Sequence, residues 1–320
     1  MSRGNVNGVK GVELPVIFLA GTTASGKTEL ALKLAEEFPI DLVSVDSGQV
    51  YRGMDIGTAK PPPDILEHAP HALIDIRSVE SPYSAADFQK DARGCISKSR
   101  SRGRIPLCVG GTLFYFSALL HGLSKLPPAD SALRAGLEEE ARSIGWDALY
   151  ERLCKLTPDR SVRIEPHDRQ RILRALEIYE LGGELGGATE RTGGLIDANV
   201  PVLKLCLFTS DRAVLHKRIS HRFKKMLEQG FVEEVENLRS AFPDAQQTPA
   251  MRSVGYQQAW HYLDGSISRD QFEEDVQTAT RRLAKRQLTW LRNDPGWVWF
   301  DALNRGAMNA VSRFLAATNC

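Results

Sequence analysis

Residues Gly21–Thr28, called the phosphate loop below, are the part of the chain whose chemistry is easiest to recognise. They read GTTASGKT and fit the pattern G-x-x-x-x-G-K-[ST]. The glycines let the backbone curl so that several N–H groups face one anion. Lys27 adds a cation, and the hydroxyl of Thr28 is suited to ligating Mg²⁺. The loop therefore predicts binding of a diphosphate or triphosphate, without predicting the reaction that follows.

The flanks of this loop predict a parallel α/β core. The apolar run Val16–Ala20 precedes the loop, and Thr28–Phe38 follows it with apolar residues at helical spacing. A second apolar run, Asp41–Asp46, comes directly afterwards, so the order is strand, helix, strand. Short apolar strands of this kind are typical of a sheet buried on both faces, and we expect a P-loop NTPase-like parallel sheet. Further strand candidates are Ile105–Val109, Val202–Phe208 and Trp297–Phe300.

Two polar loops should join the phosphate loop at the carboxyl edge of this sheet. Asp46 ends the second strand, where its carboxylate can accept a proton from a nucleophile, hold Mg²⁺ through water, or simply cap the following turn. Gly110 and Gly111 follow a later strand and allow the backbone to approach a ligand closely, and Thr112 adds a hydroxyl. The same two glycines also suit a plain turn from strand to helix. The sequence leaves both sets of alternatives open.

Charge is balanced in total but not in distribution. The chain has 41 Lys and Arg against 40 Asp and Glu, so the formal net charge of +1 says nothing about a nucleic-acid partner. Three acid-poor helical patches stand out nevertheless. Their cations are Arg281, Arg282, Lys285, Arg286 and Arg292 beside Trp290; Arg218, Arg222 and Lys225; and Arg171 with Arg174. A solvated helix face explains each patch alone, whereas together with a phosphate loop they favour a polyanionic partner.

The chain length and the positions of proline and glycine residues predict a second domain. A chain of 320 residues exceeds one typical domain. The segment 125–196 reads as helices only, begins with a Pro-Pro pair, and ends in the glycine-rich stretch Gly182–Gly194. We therefore expect an all-helical insertion domain at 125–196 between two parts of the core, 1–124 and 197–320.

The cysteines and the apolar runs exclude several classes of protein. The five cysteines are odd in number and scattered, and they contain no C-x-x-C pair, so neither a disulfide framework nor a zinc site is expected. No stretch approaches the roughly eighteen apolar residues of a membrane span. A reducing compartment fits this pattern, and we expect a cytoplasmic monomer with no membrane partner.

Seven motifs spread along nearly the whole chain belong to one recognisable pattern. The most specific are Asp55–Pro61, within the longer stretch Tyr51–Pro61, and Lys285–Arg292, which reads KRQLTWLR. The others are Gly21–Thr28, Asp46 with Ser47, Gly110–Thr112, Gln170–Arg174 and Arg252–Tyr256. Together they resemble the tRNA dimethylallyltransferase family, also called tRNA isopentenyl transferases. Two positions depart from the family pattern, since Thr22 replaces a common proline and Gly48-Gln49 is one of several variants, but neither carries a group that the chemistry requires.

The resemblance implies transfer of a dimethylallyl group from dimethylallyl diphosphate to N6 of the adenine 3′-adjacent to the anticodon in certain tRNAs. It implies that Mg²⁺ on Thr28, together with Lys27 and one arginine of the basic helices, stabilises the departing diphosphate, and we choose Arg222 as that arginine. Asp46 would aim N6 and remove its proton, and Thr112 would lie near the reacting base. The residues expected to bind the diphosphate are Gly21, Thr22, Thr23, Ala24, Ser25, Gly26, Lys27 and Thr28.

The resemblance also implies a broad contact surface for the tRNA anticodon stem-loop, with the helical insertion closing on it like a clamp. The target base has to leave its stack and enter a pocket, at a cost of roughly a few kcal/mol. The residues expected to contact the tRNA are Asp46, Ser47, Gly48, Gln49, Thr112, Arg134, Gln170, Arg171, Ile172, Leu173, Arg174, Arg252, Ser253, Val254, Gly255, Tyr256, Gln257, Lys285, Arg286, Gln287, Leu288, Thr289, Trp290, Leu291 and Arg292.

Three other functions are compatible with a phosphate loop. An adenylate isopentenyltransferase would modify a free nucleotide and would have no use for an RNA-binding insertion. A P-loop small-molecule kinase would transfer the γ-phosphoryl group of ATP. A nucleic-acid-binding protein switched by a nucleoside triphosphate would perform no chemistry on the base. The identity of the group donor separates these alternatives.

Overall fold

The structure is a computed structural model that describes residues 14–156, 164–183 and 191–318. The chain divides into two compact units. Unit 1 comprises Met1–Leu120 with Leu195–Cys320, and unit 2 comprises His121–Gly194. The boundaries expected from the sequence, at 125 and 196, lie a few residues further along the chain. That unit 2 clamps an RNA stays a prediction.

Strands and helices are numbered along the described residues. The strands are β1 (Val16–Gly21), β2 (Ile40–Val45), β3 (His71–Ala72), β4 (Ile105–Gly110), β5 (Leu123–Ser124), β6 (Arg191–Thr192), β7 (Val202–Phe208) and β8 (Val298–Asp301). The helices are α1 (Lys27–Glu37), α2 (Pro63–His68), α3 (Ala85–Ser101), α4 (Leu113–His121), α5 (Ser131–Ile144), α6 (Trp146–Leu156), α7 (Arg169–Glu180), α8 (Arg212–Glu228), α9 (Phe231–Ala241), α10 (Tyr256–Leu263), α11 (Arg269–Asn293) and α12 (Ala307–Ala317). A short 3-10 helix, Pro243–Gln247, follows α9.

Unit 1 is built on a six-stranded sheet in the order β3-β2-β4-β1-β7-β8. Every pairing in this sheet is parallel. All six residues of β1 and of β4 are buried, which explains why these strands read as uninterrupted apolar runs. This is the P-loop NTPase-like α/β core that the sequence predicted.

The two faces of β1 pack into different hydrophobic clusters, as the alternation of side chains along a strand requires. Phe18 packs against Phe116 with a ring-centroid distance of 5.0 Å. On the other face, Ile17 and Leu19 belong to the cluster that contains Leu30 of α1. Helices therefore cover both sides of the sheet, and only its edges remain for binding.

The carboxyl edge of the sheet gathers the loops that carry the predicted chemistry. β1 ends at Gly21 beside Leu207 of β7, and β2 ends at Val45 beside Gly110 of β4. Because all strands run in one direction, the phosphate loop, Asp46 and the turn after β4 start from neighbouring positions on this edge. We call this region the crevice.

Among its described residues, unit 2 packs the helices α5, α6 and α7 around a small apolar core. Its fully buried members include Leu149, Leu153, Ile172 and Leu176. The sequence predicted that the segment 125–196 contains only helices. This requires a correction, because β6 pairs antiparallel with β5 in a two-residue ladder. A strand that short shows no periodicity, and its partner lies far away along the chain. Residues 184–190 of the predicted glycine-rich stretch lie outside the described residues.

Within the part of the chain that the structure describes, no helix combines the length and the apolar character needed to traverse a lipid bilayer.

Candidate active site

The phosphate loop joins β1 to α1 through two residues in left-handed backbone conformations. Ala24 has a φ of 60° and Gly26 has a φ of 94°, so the chain turns sharply before α1 begins. Gly21 has no space for a side chain, because a Cβ there would overlap the backbone carbonyl of Leu207. Within the described residues no side chain caps the first turn of α1, so its N–H groups and positive dipole end are directed at the loop. This backbone has the geometry of an anion site.

Two hydroxyl groups of the loop are buried without a partner. Among the described residues, Thr22 Oγ1 and Ser25 Oγ have no hydrogen bond. Thr22 is 1% exposed and Ser25 is 2% exposed. A buried hydroxyl left in this state costs about 1–3 kcal/mol, so its position calls for a functional explanation. A ligand with several anionic oxygen atoms would accept from both groups.

Two cations and one carboxylate form an electrostatic group beside the loop. Lys27 donates a hydrogen bond to the backbone carbonyl of Thr22 at 2.7 Å. Burial and the positive charge of Arg222 lower the pKa of Lys27 to about 8, while the Asp46 carboxylate acts in the opposite direction. Burial also lowers the pKa of Arg222, and Asp46 again opposes the shift. The described residues give Arg222 neither a hydrogen bond nor a salt bridge.

Asp46 caps the turn after β2 with one oxygen and leaves the other available. Its Oδ1 accepts hydrogen bonds from the N–H groups of Gly48 at 2.8 Å and Gln49 at 3.3 Å. The described residues supply no hydrogen bond to Oδ2. The capping explanation is therefore confirmed, and it does not compete with a catalytic role, since the second oxygen is unengaged. That role stays a prediction at this point.

Thr112 connects the glycine turn to the loop that carries Asp46. Its Oγ1 accepts a hydrogen bond from the N–H of Ser47 at 3.0 Å and donates to Ser47 Oγ at 3.3 Å. Gly110 is required for this arrangement, because a Cβ there would overlap the backbone of Val45. Gly110 thus serves the close approach of two strand ends, and Thr112 holds Ser47 in the loop after β2.

The stretch Asp55–Pro61 is held by an acid that the sequence did not single out. Glu234 on α9 accepts hydrogen bonds from the N–H groups of Asp55 at 2.9 Å, Ile56 at 2.7 Å and Gly57 at 3.1 Å. It also accepts the hydroxyl proton of Tyr256 at 2.6 Å. An acid in the first turn of a helix is common because it complements the dipole, so no local signal marked Glu234.

Helix α11 separates its charged side chains from its buried ones. From residue 281 to the end of the helix, the exposed cations are Arg282, Lys285, Arg286 and Arg292, and the described residues give none of them a salt bridge. Gln287 and Leu291, from the same predicted motif, are buried. Arg281, which the sequence placed on the cationic face, is turned partly inwards, and its Nε has no partner in the described chain. The basic face is therefore narrower than the sequence predicted.

An exposed aromatic pair lies beside this face. Phe114, in the first turn of α4, is 50% exposed, and Trp290 is 44% exposed. Their rings meet edge to face with a centroid distance of 6.5 Å. Phe114 follows Thr112 by two residues, so the pair stands close to the glycine turn. Solvent-exposed aromatic rings beside unpaired cations are typical of a surface that binds single-stranded nucleic acid.

Comparisons with known proteins identify the family of this chain. The model of the family described as IPP transferase matches residues 49–294. The chain belongs to the IPP transferase family. It is 51% identical over 304 residues to a tRNA dimethylallyltransferase of Thiobacillus denitrificans, covering 95% of this chain and 96% of the relative. It is 49% identical over 306 residues to another, from Alkalilimnicola ehrlichii, covering 94% of this chain and 96% of the relative.

Solved structures of IPP transferases share the fold. A full-length tRNA isopentenylpyrophosphate transferase from Bacillus halodurans superposes with a TM-score of 0.69 at 34% identity, covering 96% of each chain. A eukaryotic dimethylallyltransferase acting on tRNA gives a TM-score of 0.75 at 26% identity, covering 96% of this chain and 79% of the other. These comparisons do not favour the kinase or the adenylate isopentenyltransferase.

In unit 2 of this IPP transferase, the arginines expected to contact the tRNA form ion pairs. The carboxylate of Glu177 on α7 is fully buried and accepts hydrogen bonds from Arg134 and from Arg174, each at 2.8 Å. It also accepts the N–H of Asp130 at 2.7 Å, and these arginines lower its pKa against the effect of burial. Arg171 pairs with Asp168 at 3.3 Å. Sequence patterns marked the arginines and missed Glu177, whose partner on α5 is distant along the chain.

The other residues expected at the tRNA fall into an exposed and a buried set. The exposed residues are Ser47, Gln170, Arg171, Arg252, Gln257, Lys285, Arg286, Thr289, Trp290 and Arg292. The buried residues are Gly48, Ile172, Leu173, Gly255, Tyr256, Gln287 and Leu291. Half-buried residues are Asp46, Gln49, Thr112, Arg134, Arg174, Ser253, Val254 and Leu288. The residues of the buried set present no side chain at the surface, so a direct contact between their side chains and RNA is not expected.

Proposed function

We propose that this chain transfers a dimethylallyl group from dimethylallyl diphosphate to N6 of the adenine 3′-adjacent to the anticodon of tRNA. The observation that carries the proposal is the electrostatic group at the phosphate loop. Two cations, Lys27 and Arg222, have no salt-bridge partner among the described residues, and Asp46 supplies a carboxylate on the same side. A diphosphate needs cations of this kind, and an amine nucleophile needs a base.

The phosphate loop suits a leaving group that gains charge during the reaction. When the allylic carbon–oxygen bond breaks, the bonding electrons pass to the diphosphate. Preformed cations and hydrogen-bond donors stabilise that charge without having to reorganise. The hydroxyls of Thr22 and Ser25, the N–H groups at the start of α1, and the side chains of Lys27 and Arg222 supply these groups.

We assign Asp46 as the residue that accepts the proton of N6. The lone pair of N6 is delocalised into the adenine ring, so an acceptor is needed as nitrogen forms its bond to the allylic carbon. As that bond forms and the carbon–oxygen bond breaks, the N6 proton passes to Oδ2 of Asp46 while the diphosphate departs. Oδ1 keeps the side chain oriented through Gly48 and Gln49.

The residues of the crevice also fit Mg²⁺. The ion prefers oxygen ligands, keeps several waters, and is commonly bound through one or two protein groups together with substrate phosphates. Thr28 places an exposed hydroxyl in the first turn of α1, beside the loop expected to bind the diphosphate. Within the described residues no larger group of His, Cys, Asp or Glu is gathered for a metal. Mg²⁺ bound here would neutralise part of the diphosphate charge.

The RNA would lie on the exposed face of α11. Its unpaired cations would neutralise backbone phosphates, and Phe114 with Trp290 would stack on an unpaired base, a contact worth about 1–3 kcal/mol per base. Taking the adenine out of its stack gives N6 access to the crevice. We further propose that unit 2 closes on the anticodon stem-loop and that the protein acts as a cytoplasmic monomer.

Labelled donor distinguishes this function from its alternatives. The protein is incubated with Mg²⁺, radiolabelled dimethylallyl diphosphate and unmodified tRNA, and the reaction is repeated with ATP and with AMP. We expect label on tRNA without ATP, located on one adenosine after nuclease digestion. Phosphate release from ATP with no label on tRNA, or label on AMP alone, would contradict the proposal.

Two substitutions separate the capping role of Asp46 from its role as general base. Asp46→Asn keeps an oxygen that accepts from Gly48 and Gln49, but it has no carboxylate to take a proton. We expect turnover to fall by about 10² to 10⁴ in this variant while tRNA affinity is retained. Asp46→Ala removes the cap as well and should also lower thermal stability. Wild-type turnover in Asp46→Asn would remove Asp46 from its role as base.

A further inference from the structure

The buried amide of Gln287 connects two walls of the crevice. Its Oε1 accepts a hydrogen bond from the N–H of Thr23 at 2.9 Å, and its Nε2 donates to the carbonyl of Gly111 at 2.9 Å. The side chain is 7% exposed. Only one orientation of the amide satisfies both bonds, because the oxygen accepts and the nitrogen donates. The contact to Gly111 is close, since a Cβ on that glycine would lie 2.6 Å from Nε2.

The position of Gln287 on α11 directs it away from the basic face. Ala284, one turn earlier, is buried in a cluster with Leu215 and Ile219, and Ala24 of the phosphate loop packs against that cluster. Residues three apart share one side of a helix, so Ala284 and Gln287 both face the phosphate loop. Lys285 and its exposed neighbours point elsewhere.

Both backbone groups bound by Gln287 belong to segments with assigned roles. Thr23 lies between Thr22 and Ser25, whose hydroxyls have no partner in the described residues. Gly111 leads directly into Thr112, which holds Ser47 and thereby the loop of Asp46. A single amide therefore fixes the diphosphate wall against the wall that carries the base.

We propose that Gln287 is a positioning residue that aligns the phosphate loop with the Gly111–Thr112 turn for prenyl transfer, and that it does not contact the RNA. The proposal rests on the proposed function for its catalytic part. It departs from the expectation that the whole motif Lys285–Arg292 contacts tRNA. Transfer between two bound reactants is sensitive to small errors in alignment, and a displacement of about 1 Å can cost about 10² in rate.

Gln287→Glu tests whether this side chain lies next to the bound diphosphate or next to the RNA. Gln287→Glu retains an acceptor for the Thr23 N–H, loses the donor to Gly111, and places a negative charge beside the phosphate loop. We expect affinity for inorganic pyrophosphate to fall by about tenfold or more, since like charges repel at short range. We expect tRNA affinity to stay within about twofold of wild type, measured by filter binding at fixed salt.

Thr289→Glu is the matched control on the other side of α11. Thr289 is exposed and lies two residues from Gln287, so the same charge is directed at the basic face. We expect the opposite pattern, with weaker tRNA binding and unchanged pyrophosphate affinity. If Gln287→Glu instead weakens tRNA binding as strongly as Thr289→Glu and leaves pyrophosphate binding unchanged, Gln287 faces the RNA and the proposal fails.

Gln287→Leu tests the alignment without adding charge. It fills a similar volume and makes neither hydrogen bond. With both substrates saturating, we expect kcat to fall by about 10², while the KM for tRNA stays near wild type. Wild-type kcat in this variant would overturn the positioning role. If wild-type protein transfers no label to tRNA, the proposed function fails, whereas the two titrations still decide where Gln287 points.

Discussion

Two regions of the molecule carry cations with predicted functions, and the regions differ in whether those cations form salt bridges. In the crevice, Lys27 donates to a backbone carbonyl, and the described chain gives Arg222 no carboxylate. In unit 2, Arg134 and Arg174 share the buried carboxylate of Glu177. Both regions look equally basic when only the arginines and lysines of the sequence are counted. They differ because only in unit 2 do carboxylates lie within salt-bridge distance of these cations, whereas among the described residues Asp46 lies near Lys27 and Arg222 without forming a salt bridge with either.

This difference indicates that the two sets of cations do different work. A cation that already pairs with a buried carboxylate holds its own helices together and has less to gain from a phosphate. A cation held near another cation is costly for the free protein and is stabilised when an anion binds. The crevice and the exposed face of α11 are thus prepared for anions. The arginines of unit 2 first of all stabilise unit 2.

The largest effect is expected when one cation is removed from each region, which tests whether the two sets of cations have different roles. Arg222→Met should lower turnover by about 10² to 10³, the usual effect of losing one group that stabilises charge in the transition state. Its thermal stability should stay the same or rise, because a half-buried cation near Lys27 is gone. Arg152→Met, which breaks ion pairs with Glu140 and Glu180 in unit 2, should lower thermal stability instead. A destabilised Arg222→Met with normal turnover would reverse the assignment.

Glu177 tests the structural half of the comparison. Glu177→Gln keeps the size of the side chain but removes the charge that holds Arg134 and Arg174. We expect a loss of about 1–3 kcal/mol in the free energy of unfolding of unit 2, measured by denaturant titration. Glu180→Gln, on the exposed end of the same helix, should cost less. Equal stability of Glu177→Gln and wild type would show that the buried carboxylate does not hold these helices.

The salt dependence of tRNA binding sharpens the comparison on the RNA side. Lys285→Ala with Arg286→Ala removes two unpaired cations, so the slope of log affinity against log salt should become shallower by about 1.4 to 1.8. Arg134→Ala with Arg174→Ala removes two paired cations and should change the slope less. Equal slope changes in the two double variants would mean that pairing with Glu177 does not withhold these arginines from RNA.

The pKa of Lys27 predicts a small and specific proton effect. This pKa lies near 8 in the free protein, below its ordinary value of 10.5, so charge is lost as the pH rises through 8. A bound diphosphate favours the charged form and raises the pKa. Binding of pyrophosphate at pH 8 should therefore take up roughly half a proton more in wild type than in Lys27→Met. Calorimetry in buffers of different ionisation enthalpy measures this difference, which should vanish near pH 6.

Local patterns carried much of the sequence-based prediction. The phosphate loop, the strands beside it and Asp46 follow one another closely along the chain, so periodicity and turn chemistry were enough to find them. The contacts that were missed join residues far apart along the chain. Gln287 bonds a residue 264 positions away, and Glu234 and Glu177 bind segments on other helices or loops. A buried acid or amide looks ordinary in sequence, because its partners become visible only when the chain is folded.

The resemblance to a family identified whole motifs, whereas the structure divides them by burial. Within Lys285–Arg292, the basic residues reach solvent, and Gln287 and Leu291 turn inwards. Within Gln170–Arg174, Ile172 and Leu173 form part of the core of unit 2. A motif therefore records both the residues that touch a ligand and those that place them, and only the fold separates the two.

The most direct test of the central claim is the affinity of the free protein for inorganic pyrophosphate. The titration compares wild type with Lys27→Met, Arg222→Met and, as a paired cation from unit 2, Arg152→Met, all at one low salt concentration. We predict a loss of about tenfold or more in each of the two crevice variants and wild-type affinity in Arg152→Met. Wild-type affinity in both crevice variants would contradict the claim that these unpaired cations await a diphosphate.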